Sequence, residues 1–69
     1  MSGYRETRFY SMELDAEAAR LSLTDDAGQE YYAIVPVLSG RRWRERRDAA
    51  LDAVDAAIER GDEPGEVRV

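Results

Sequence analysis

Two charged clusters near the end of the chain are the residues whose types and spacing suit chemistry. Asp48, Asp52, Asp55 and Glu59 recur at i, i+4, i+7 and i+11. On a helix this spacing stacks four carboxylates along one line about 16 Å long. Immediately before them, Arg41-Arg-Trp-Arg-Glu-Arg-Arg47 places five guanidinium groups around one indole. Arginine beside an aromatic suits phosphate contact and base stacking. A carboxylate line suits a basic groove, each carboxylate standing where a phosphate would lie. Each cluster also has a plain structural reading: a solvated face for the carboxylates, and partners on the protein's own acids for the arginines.

Little else in the chain does chemistry. It has 69 residues with no cysteine and no histidine, and all ten of its cations are arginine. That removes imidazole acid–base catalysis, thiolate nucleophiles, lysine Schiff bases and the usual zinc ligands. Gly3, Gly28, Gly40, Gly61 and Gly65 form neither a G-x-G-x-x-G nor a P-loop, which would also need lysine. Asp25-Asp26-Ala27-Gly28 lacks the remaining ligands of a calcium loop. The carboxylate pairs are too numerous to single one out as an acid–base couple. The sequence therefore predicts no enzyme, no cofactor and no metal. It predicts a protein that binds.

The clusters need a helix to hold them, and the pattern supplies one from about Arg41 to Arg60. Ser39 is its expected N-cap and Gly61 its expected terminator, with Pro64 just beyond. Trp43, Ala50, Leu51, Val54, Ala57 and Ile58 share one sector, the face for a core. The carboxylate line is expected on the opposite face, with Arg44 pairing to Asp48. Arg41, Arg42 and Arg44 are expected to point outward, and the stem of Arg47 to lie on the core. Ala49, Ala53 and Ala56 would let a second helix approach closely, so a homodimer is an alternative use of the same helix.

Ahead of the helix, three segments alternate as strands do: residues 4–14, 19–24 and 30–38. In the first, Tyr10, Met12 and Leu14 share a face. Residues 15–23 read alternatively as the start of a helix capped by Asp15. The third is apolar on both faces, which predicts a central strand buried on two sides. Pro36 places its far end at an edge or a bulge. Tyr4, Arg8, Tyr10, Tyr31 and Tyr32 lack the setting of an RNA-binding sheet and read as packing residues. Residues 61–69 form a tail or a short extra strand. The expected fold is one α+β domain, a small three-stranded antiparallel sheet (β-β-β) packed by one C-terminal amphipathic helix. With a longest apolar run of eight residues, the chain is read as soluble and cytoplasmic.

The net charge of -5 is unevenly spread. Residues 41–47 hold five Arg and one Glu, +4; residues 48–66 hold seven acids and Arg60, -6. A helix dipole favours the reverse order, by about 0.3–1 kcal/mol for each exposed charge. In size, acidity, charge order and lack of catalytic residues the chain resembles the small phage-encoded inhibitors of bacterial defence, anti-CRISPR proteins especially. They share no motif or fold, so the resemblance is one of general character. It implies a steric or charge-mimetic block of a nucleic-acid-binding bacterial complex in the host cytoplasm. Asp48, Asp52, Asp55 and Glu59 would make one contact, and Arg41, Arg42 and Arg44 a second. The alternatives are a small nucleic-acid-binding module using the Arg-rich helix start, and a dimeric structural protein.

Overall fold

The computed structural model describes residues 10–14 and 17–69. Its elements run β1 (Ser11–Leu14), β2 (Ala18–Thr24), β3 (Glu30–Pro36), α1 (Gly40–Arg60) and β4 (Gly65–Glu66). One sheet in the order β1-β2-β3-β4 lies beneath α1, the one helix among the described residues. The first three strands are antiparallel, as their alternation predicts, and β4 adds a parallel strand. The sheet is therefore mixed and four-stranded. The antiparallel expectation holds for three strands only. The expected strand over 4–14 is seen from Ser11 onward; Tyr4, Arg8 and the rest of its first part lie outside the described residues.

Register is set at the β2–β3 turn. Asp25 Oδ1 accepts hydrogen bonds from the backbone N–H of Ala27 at 3.0 Å and of Gln29 at 2.8 Å. Gly28 turns the chain at φ 85°, where a side chain would be strained. The hairpin then pairs Thr24 with Glu30, Leu23 with Tyr31, Leu21 with Ala33 and Ala19 with Val35. That alternation places Ala19, Leu21, Leu23, Tyr31, Ala33 and Val35 on the helix side, all buried. A helix over residues 15–23 is thereby excluded for Ala18 onward. Alternation at period two wins over the local Ala-rich helix propensity because it buries Leu21 and Leu23 against α1.

From the helix come Ala50, Leu51, Val54 and Ala57, with Trp43 and Ile58 packed partly buried against them. All six belong to the sector that the 3.6-residue period picks out. The C-terminus closes as Gly61 predicts: φ is 74°, the Gly61 N–H donates to the Ile58 carbonyl, and the Asp62 N–H donates to the Ala57 carbonyl. The Tyr31 hydroxyl donates to the Asp62 carbonyl at 2.7 Å, tying that cap to the sheet. The chain then returns beside β3, where Val67 N–H donates to the Tyr32 carbonyl. At the start of the helix Ser39 is the N-cap residue, but its side chain makes no capping bond.

β3 is central, yet it is buried on one side only. Tyr32 is half-buried on the second face and Ile34 is 44% exposed there. Among the described residues one helix has one face to offer, and it packs on the other side of β3. Pro36 closes β3 opposite Ala18, beyond the reach of β4, so its missing N–H costs no ladder bond on that side. No helix among the described residues is long and apolar enough to cross a membrane.

Candidate interaction surfaces

The helix does not present its acids as one solvent-facing line. Asp55 is only 6% exposed and lies among the buried residues of α1. The geometry is simple: Asp55 follows Leu51 by four residues, a rotation of about 40° on the helix surface. The carboxylate line therefore flanks the apolar stripe and does not oppose it. Asp52 is half-buried, and its Oδ1 is enclosed with no hydrogen-bond partner among the described residues. Asp48 is half-exposed and accepts from Arg47 Nε and Nη2, each at 3.3 Å. The cation on Asp48 is Arg47, not Arg44 as the i, i+4 spacing predicts. Glu59 is exposed at the far end. Of the small residues expected to admit a second helix, Ala49 is exposed and Ala53 and Ala56 are half-buried.

The arginines stand as expected. Arg41, Arg42 and Arg44 are exposed, as is Arg46. None of the four makes an ion pair among the described residues, unlike Arg20, Arg47 and Arg60. The first helical turn holds no acid, so its unbonded N–H groups reinforce this positive end.

The folded chain gathers carboxylates elsewhere. At the C-terminal end of α1, Asp25, Asp26, Tyr31, Ile58, Glu59 and Gly61 line an open depression of about 350 Å³. It joins the β2–β3 turn to the helix end, two segments more than 30 residues apart in sequence. Asp62 and Glu63 are exposed just beyond, with Asp62 held by Arg60 at 2.7 Å. A sequence reading treats turn and helix separately, so this acidic end emerges only from the hairpin register and the direction of α1. Among the described residues no group of three or more acids is placed to hold a metal ion.

The second face of the sheet carries a cluster that sequence reasoning missed. Arg20 donates from Nη1 and Nη2 to the two carboxylate oxygens of Glu30, at 3.1 and 2.8 Å. Its guanidinium carbon lies 4.1 Å from the ring centroid of Tyr32. The signal was the outward parity of Arg20 on β2 and of Glu30 and Tyr32 on β3, which requires the turn register to be read. An arginine clamped over Tyr32 takes the ring face that a base would need, so the sheet offers no stacking platform there. Comparison with known proteins brings no relative. No family model, curated protein or solved structure matches the chain.

The Arg20 pair also fixes a pH response. Hydrogen bonds from Arg20, with a smaller one from Ser22, hold the Glu30 carboxyl below the usual carboxylate range. A depressed folded pKa contributes stability that is present above the unfolded value and lost as pH falls through the folded one. The stability gap between the natural protein and Arg20→Gln is therefore expected to be full at neutral pH and to close progressively below about pH 4.3. Thermal melts of the two proteins between neutral and acidic pH measure it. A gap that stays constant across that range removes the ion pair as its cause.

Proposed function

We propose that the protein acts by binding, as an inhibitor of a nucleic-acid-binding bacterial complex in the manner of anti-CRISPR proteins. The observation that carries this reading is the separation of charge in space. Exposed Arg41, Arg42, Arg44 and Arg46 stand at one end of a helix about 30 Å long. Asp25, Asp26 and Glu59 surround a depression at the other. A basic groove that normally holds nucleic acid is the complement of that acidic end. The arginine end provides a second contact of opposite sign, which fixes orientation and disfavours partners of uniform charge.

Relative to the helical line, the contact surface moves. Asp55 is buried and is not a contact residue in this reading. Asp26 and Glu59 take its place, with Asp48 and the exposed edge of Asp52 beside them.

The test is nucleic-acid loading by a panel of purified RNA-guided nucleases and multisubunit surveillance complexes, with and without the protein. Loading of one of them is expected to fall. Asp26→Asn combined with Glu59→Gln is expected to weaken the block about tenfold or more while leaving the circular dichroism spectrum unchanged, equivalent to at least ~1.4 kcal/mol. A panel that loads normally throughout overturns the reading.

A second reading, direct nucleic-acid binding, is favoured by the four arginines without ion pairs. It requires binding to single- or double-stranded nucleic acid with a steep salt dependence. The slope should fall when Arg41, Arg42 and Arg44 are replaced by Gln, by about one for each phosphate no longer neutralised. An absence of binding at low salt eliminates it.

A further inference from the structure

The four exposed arginines at the start of α1 do not form one patch. Arg42 and Arg46 lie four residues apart, about 40° around the helix and about 6 Å along it. Arg41 and Arg44 lie about 100° or more around from either of them, on the other flank. Beside Arg42 and Arg46 the surface is concave: with Leu38, Glu45 and Ala49 they line an open depression of about 290 Å³. Leu38 comes from the linker between β3 and α1 and is half-buried, and Ala49 is exposed. The lining thus joins two apolar groups to two guanidinium groups, and neither guanidinium has an ion-pair partner among the described residues.

We propose that this depression docks a short acidic helical segment of a partner protein. Two of its carboxylates, one turn apart, would meet Arg42 and Arg46, and an apolar side chain beside them would cover Leu38 and Ala49. The proposal rests on the arginine contact of the inhibitory reading and names the chemistry of what that contact meets. Spacing, charge and extent select the occupant. Carboxylates four residues apart on a helix repeat the ~6 Å separation of the two arginines, and each can accept two hydrogen bonds from one guanidinium. The small side chain of Ala49 lets a second helix come close. Glu45 adds one negative charge to the lining, which disfavours a partner that is acidic all round.

A nucleic acid fits this depression less well. The lining holds no aromatic ring on which a base could stack. A duplex carries one charge per ~1.7 Å and continues beyond two arginines. Laid along the helix, it meets Asp48 two residues after Arg46. Laid across the helix, it finds only that one pair to neutralise its phosphates. A short acidic segment ends where the positive charge ends.

The probe is an alanine-based helical peptide with two glutamates four residues apart and a leucine three residues after the first, on the same face. Titrated into the isotope-labelled protein at physiological ionic strength, it is expected to move the amide NMR signals of Leu38, Arg42, Arg46 and Ala49 most. Arg42→Gln with Arg46→Gln should weaken binding about fivefold or more. Arg41→Gln with Arg44→Gln removes the same charge from the other flank. Charges more than ~8 Å away are largely screened under these conditions, so this second pair should change binding less than about twofold. Replacing the peptide's leucine by glutamine should weaken binding to the unaltered protein. Asp26→Asn with Glu59→Gln should leave peptide binding intact while weakening the block of nucleic-acid loading, so the two readings fail separately. Absence of shifts at millimolar peptide overturns the proposal, as does equal weakening by the two arginine pairs. Tighter binding of a DNA duplex at the same residues overturns it in favour of nucleic acid. The same shifts on raising protein concentration alone overturn it in favour of a second copy.

Discussion

Leu51→Ala is expected to remove a large share of the protein's stability at 25 °C. Leu51 is fully buried, and four of its companions in the core are alanines: Ala19, Ala33, Ala50 and Ala57. These small residues on facing surfaces let the helix settle close to the sheet, and Leu21, Leu23, Leu51, Val35 and Val54 fill the space between. Alanine has no rotamer with which to reach into a void. The cavity left by Leu51 would therefore collapse poorly, placing the cost toward the upper part of the ~2–5 kcal/mol range for Leu→Ala. A chain of 69 residues has a total stability of about 3–10 kcal/mol at ~0.05–0.15 kcal/mol per residue. One substitution thus removes a large share of it, and all of it toward the lower end of that range. Urea unfolding followed by Trp43 fluorescence measures the loss. A cost below about 1 kcal/mol would mean that the helix does not seat Leu51 in the interior.

This dependence on few residues explains why the fold is largely legible in the sequence. Core and helix follow from periodicity, since Leu51, Val54 and Ile58 on one side and Leu21, Leu23 and Val35 on the other can be buried in only one phase. The helix limits follow from Gly61, whose left-handed conformation most other residues resist. What periodicity does not supply is how far the sheet reaches around the helix. The acidity of Asp55 predicts a place in solvent, yet at about 40° from Leu51 it lies under 10% exposed. The parallel pairing of β4 is equally hidden. A two-residue strand has no pattern, and its place depends on where α1 returns the chain beside Tyr31 and Tyr32. The acidic end of the molecule is a tertiary product of the same kind, because the β2–β3 turn and the helix end meet only in three dimensions.

Asp52 separates a stability role from a binding role. Its Oδ1 is enclosed without a hydrogen-bond partner among the described residues, while the residue as a whole remains half-exposed. Leaving a buried acceptor unsatisfied costs about 1–3 kcal/mol, and the partial exposure of Asp52 places it toward the lower end. Aspartate is also a poorer helix former than alanine by several tenths of a kcal/mol. Asp52→Ala is therefore expected to stabilise the protein by about 1–2 kcal/mol, raising the melting temperature by at least ~4 °C. A lower melting temperature would show that the carboxylate has a stabilising environment after all. Binding gives the second half of the experiment. A carboxylate kept at a cost to folding is the kind of group that function retains. If the stabilised Asp52→Ala protein no longer blocks nucleic-acid loading, the exposed edge of Asp52 belongs to the contact surface. If it blocks as well as before, the contact is confined to the acidic end formed by Asp26 and Glu59. Stability and inhibition, measured on one variant, thus decide how far along the helix the surface extends.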